Sequence, residues 1–71
     1  MADEVYRVTV SIAAELGAAA EAITDYQGRV KELAGRVAVD RDDLRTAIEE
    51  AERSLGVAER AVRRALKAAS R

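Results

Sequence analysis

Six residue types are missing from this chain: cysteine, histidine, proline, tryptophan, phenylalanine and asparagine. Without cysteine no disulfide can staple the fold, and without thiolate or imidazole the usual zinc ligand sets are excluded. Without histidine, general acid–base chemistry would fall to a carboxylate with a shifted pKa in a pocket. The absence of proline leaves long helices uninterrupted. Aromatic residues are reduced to Tyr6 and Tyr26, and no apolar run approaches the roughly 20 residues of a membrane span.

What is present favours helix. Alanine, arginine and glutamate are abundant, and with the leucines they are strong helix formers. Alanine buries little area, so an apolar fraction of 49% promises less core than it suggests. At 71 residues the chain is a single domain, residues 1–71, below the size at which one core is comfortably stable alone. Its 12 basic and 13 acidic residues nearly cancel, which gives no global signature for nucleic acid or membrane. The distribution is uneven, however. Residues 1–28 hold five acids (Asp3, Glu4, Glu15, Glu21, Asp25) against Arg7, whereas residues 60–71 hold Arg60, Arg63, Arg64, Lys67 and Arg71 with no acid. The opening Met1–Tyr6 carries two acids and no basic n-region, so no secretory signal is read and a cytoplasmic location is expected.

Apolar periodicity places two helices. Leu44, Ile48, Ala51, Leu55, Ala58, Val62, Ala65 and Ala69 recur at alternating spacings of four and three, the seam of a coiled-coil-like helix over 41–70. Asp40 is its expected N-cap, Asp42 and Asp43 sit where the dipole favours acids, and the basic run sits where it favours cations. The same rhythm runs through Val5, Thr9, Ile12, Leu16, Ala19, Ile23, Tyr26, Val30, Leu33 and Val37, predicting a helix over 3–38. Gly17, Gly28 and Gly35 weaken it, and Gly28 is a candidate break. A turn at 39–40 would then fold the two helices into an antiparallel hairpin, with Leu55 near Ile23, Val62 near Leu16, and the basic end beside the acidic half.

Two helices do not enclose a core. The expected fold class is therefore all-α: an antiparallel two-helix hairpin that completes a four-helix bundle by dimerisation, or buries its flanks on another protein. The interface residues would be Ile12, Leu16, Ile23, Tyr26, Val30, Leu33, Ile48, Leu55 and Val62, with Leu66 lying off the two-helix seam.

Residues 5–12 read differently. Tyr6, Val8, Val10 and Ile12 alternate with Arg7, Thr9 and Ser11, which is the period and composition of a strand. Arg7-Val8-Thr9-Val10-Ser11-Ile12 followed by Glu15-Leu16 resembles the opening of ribbon–helix–helix repressors and antitoxins, and Gly28 falls near that family's turn between helices. The resemblance implies an intermolecular ribbon in the major groove of DNA, with Arg7, Thr9 and Ser11 as base-reading side chains. Against it, Ala13 and Ala14 stand where the family has a proline or polar cap, no serine follows Gly28, and 40–71 would be a surplus helix.

No catalytic, cofactor-binding or metal-binding residue is expected. Ser11, Ser54 and Ser70 have no base to activate them, the four glycines form no phosphate loop, and Asp40, Asp42 and Asp43 lack the glycine and terminal glutamate of a calcium loop. The sequence therefore points to a non-enzymatic interaction or assembly module whose partner is itself or another protein, with a DNA-binding repressor as the alternative. The basic run 60–71 reads as dipole complementarity and pairing with the acidic helix rather than a phosphate-binding stripe.

Overall fold

The computed structural model describes residues 2–71. They form two helices, α1 (Ala2–Gly35) and α2 (Asp42–Ala69), in a rod of 61 × 14 × 12 Å. At about 1.5 Å per residue α1 is roughly 51 Å long and α2 roughly 42 Å, so the rod is two helices wide and one deep. Among the described residues there is no strand. The helix runs unbroken through residues 5–12 despite their β-branched alternation, and through Gly28 as well. A strand there would have no edge to pair with, whereas the Ala-rich segment downstream propagates helix into it.

The link is longer than the two-residue turn the pattern predicts. It occupies residues 36–41, and α1 stops at Gly35 instead of reaching residue 38. Its end tightens into shorter-range bonds, with Arg36 N donating to the Leu33 carbonyl at 3.0 Å and Val37 N to the Ala34 carbonyl at 3.3 Å. Gly35 followed by β-branched Val37 and Val39 is a poor continuation, which explains the early stop. The guanidinium of Arg45 fastens the link, donating from Nη2 to the Val37 carbonyl at 3.0 Å. Asp40 is not the N-cap of α2; Arg41 occupies that position without a side-chain cap bond. The first turn of α2 does carry Asp42 and Asp43, as its dipole favours.

Three approaches define how the helices meet. A Cβ on Gly17 would lie 3.9 Å from Leu66 Cδ2, one on Gly56 would lie 2.9 Å from Gln27 Nε2, and Arg45 reaches Val37. The first two join α1 to α2, and the third joins α2 to the link. They also displace the expected partners, because Leu66 faces Gly17 where the turn at 39–40 would set Val62 near Leu16.

The seam itself is turned. With Leu16, Ile23 and Val30 of α1 and Ile48, Leu55 and Val62 of α2 labelled as heptad position a, these residues are half-buried. The second inward row is not the expected d row but the e row. In α1 this is Ala13, Ala20, Gln27 and Ala34; in α2 it is Arg45, Glu52, Glu59 and Leu66. Leu66 therefore belongs to the seam. Two small residues lie on this turned side: Ala20 is 0% exposed and Gly56 is buried. The long e residues of α2 lie along that groove on their aliphatic stems.

Candidate interaction surface

No large side chain is fully buried among the described residues. A compact chain of this mass exposes about 4,300 Å², whereas this one exposes 5600 Å². The excess, roughly 1,300 Å², is of the order of a standard protein–protein interface.

Much of that surface is apolar and ordered by the turned seam. The d row of α1, released from the contact with α2, stands outside: Val5 is 67% exposed, Ile12 47%, Tyr26 56% and Leu33 47%. Val8 in the neighbouring g row is exposed too. On α2 the d and g rows are Leu44, Ala47, Ala51, Ser54, Ala58, Ala61, Ala65 and Ala68, all exposed and, after Leu44, all small. One helix thus presents large apolar side chains and the other a smooth alanine strip. The remaining interface candidates, Leu16, Ile23, Val30, Ile48, Leu55, Val62 and Leu66, are half-buried between the two helices.

The first turns of α1 are the most open. Leu66 already meets Gly17 and α2 ends at Ala69, so residues 2–12 of α1 project beyond α2 with no helix beside them. Val5, Tyr6, Val8, Val10 and Ile12 are exposed there, and Glu4, Val5, Val8 and Thr9 line a shallow groove. Arg7, Thr9 and Ser11, the residues that a ribbon would align on one edge, sit about 200° apart in successive pairs on a helix. The Thr9 hydroxyl donates to the Val5 carbonyl at 3.0 Å. The DNA-reading ribbon implied by the resemblance is not formed.

The ion pairs run along α2 rather than between the helices. Arg63 pairs with Glu59 at 2.8 Å within α2, and Arg41 with Asp43 at 3.1 Å at its start; among the described residues no ion pair joins α1 to α2. The expected pairing of the basic run with the acidic helix is thus not made by contact. Arg60, Arg64, Lys67 and Arg71 are exposed. The Arg41 guanidinium, with the Leu44 backbone N–H, holds the Asp43 carboxyl below the usual aspartate range. On the d/g side of α1, the Arg29 guanidinium lies 5.6 Å from the centre of the Tyr26 ring, a cation–π contact.

Among the described residues no cluster of acidic side chains is placed to hold a metal ion, and no helix is long and apolar enough to cross a membrane. Comparison with family models, with curated proteins and with solved structures finds no match for this chain.

Proposed function

We propose that this chain is a non-enzymatic helical assembly module: its helices run antiparallel, and one side of the hairpin self-associates to complete a four-helix bundle. The antiparallel sense is supported by the order of the approaches Gly17–Leu66, Gln27–Gly56 and Val37–Arg45. In that sense the d and g rows of both helices turn to the same side of the rod, and the large apolar residues of α1 and the alanines of α2 form one continuous face. The observation that carries the reading is the inverted burial: no large side chain is fully buried while Ile12, Tyr26 and Leu33 stand outside. A face of this kind is an interaction site on a chain this small.

Sedimentation equilibrium tests the reading. The wild-type chain is expected at twice its mass of 7.7 kDa. Leu33→Glu, which removes about 1.5–3 kcal/mol of burial per chain at the interface, should weaken association at least ten-fold. Leu55→Asp, placed between the helices, should abolish helicity and association together. A wild-type chain that sediments as a single hairpin, or a Leu55→Asp chain with unchanged helicity and mass, would refute the reading; the first result would leave the face to a different protein.

A further inference from the structure

Resting on the assembly reading, we infer that the occupant of the apolar face is a second copy of this chain related by a two-fold axis along the rod. In this arrangement each α1 lies over the partner's α2 and both links are at the same end. The alternative two-fold, across the rod, would place α1 on α1 and α2 on α2.

Two properties of the surface favour the first arrangement. One is size. The large d residues of α1, Tyr26 and Leu33, are exposed, and the corresponding strip of α2 is alanine and serine. Stacking α1 on α2 sets large residues into a small-residue groove along both contacts, with helix–helix distances matched. Stacking like on like would hold one pair of helices apart while the other pair wants to close.

The second is charge. A two-fold along the rod leaves axial position unchanged, so the levels read from Gly17–Leu66 and Gln27–Gly56 apply directly across the interface. They put Ala22 level with the partner's Ala61 to within about one residue. Each charged g residue of α1 then reaches over an alanine or serine of the partner to an opposite charge within about one helical turn. Arg36 and Arg29 meet the partner's Glu50, and Glu15 meets the partner's Arg64. All five are exposed and make no ion pair among the described residues. Charge matching of this kind sets partner and register.

The chain has no cysteine, so single-cysteine variants report the arrangement directly. Ala22→Cys and Ala61→Cys would be prepared separately, and also unfolded and refolded as a mixture, then treated with a short bis-maleimide. The arrangement predicts a cross-linked two-chain band in the mixture and none in either variant alone. A band from Ala22→Cys alone, or no band in any sample while the wild-type chain sediments as two copies, overturns the arrangement and leaves self-assembly standing. A single-chain mass for the wild type overturns both. Arg29→Glu should weaken the dimer several-fold, and Arg29→Glu with Glu50→Arg should restore it; failure of the double variant to recover would likewise overturn the pairing.

Discussion

Replacing Gly28 with alanine should stabilise this protein, and the margin follows from local geometry. Position 28 lies inside a continuous α1, no glycine among the described residues has a positive φ, and an added Cβ there meets nothing within 4 Å. Alanine therefore adopts the existing backbone without strain and adds its helix propensity, about 0.8–1 kcal/mol over glycine. For a chain of this size a gain near 1 kcal/mol raises Tm by about 4–8 °C. Gly56 is the informative contrast. Its Cβ would lie 2.9 Å from Gln27 Nε2 and 3.5 Å from Arg60 Nη1, so the amide must move. Forcing Gln27 off its rotamer costs about 0.5–1.5 kcal/mol, which offsets most of the same propensity gain. Circular dichroism melts at one fixed protein concentration would measure Gly28→Ala, Gly56→Ala, Gln27→Ala and the Gln27→Ala/Gly56→Ala pair. Fixing concentration matters because association makes Tm depend on it. The gain at 28 should exceed that at 56, and the gain at 56 should return to about 1 kcal/mol once Gln27 is truncated. If Gly28→Ala lowers Tm, α1 is broken at residue 28. If 27 and 56 show no coupling, the helices do not meet in this register.

Backbone chemical shifts over residues 5–12 should read as helix in the assembled protein; strand shifts would restore the ribbon reading and overturn the description of α1. The Asp43 carboxyl offers a pH test. Its folded pKa is depressed by Arg41, so its contribution is present at neutral pH and lost only as pH falls through that depressed value, below the ordinary aspartate range. In Arg41→Ala the titration midpoint of Asp43, followed by carboxyl NMR shifts, should move up toward the ordinary value; an unmoved midpoint would refute the Arg41 assignment.

The helices were legible because propensity and period agree over long windows. Alanine, glutamate and arginine, the absence of proline and the four–three spacing all point to helix, and tertiary context has nothing to override. Residues 5–12 show where local signals fail. Alternating β-branched residues satisfy the strand template, yet strand pairing is a property of two segments and propensity belongs to one. The link departs from the pattern for a related reason: apolar Val37 extends the four–three count past Gly35, and periodicity carries no information on where backbone hydrogen bonding stops.

The turned seam is the least legible feature and the most consequential. The repeat identifies position a securely, because Leu16, Ile23, Leu55 and Val62 are inward under any choice of second row. Whether d or e completes the contact depends on how closely the backbones approach, and hydrophobicity alone selects the larger d residues. The burial of Ala20 and Gly56 shows the interface rotated toward e. That rotation moves Ile12, Tyr26 and Leu33 from an expected hairpin core to the outside. The apolar surface left over is therefore not residual. The rotation keeps one large row, with Leu16, Ile23, Leu55 and Val62, half-buried between the helices and leaves another, with Ile12, Tyr26 and Leu33, exposed as the face on which the proposed assembly would depend.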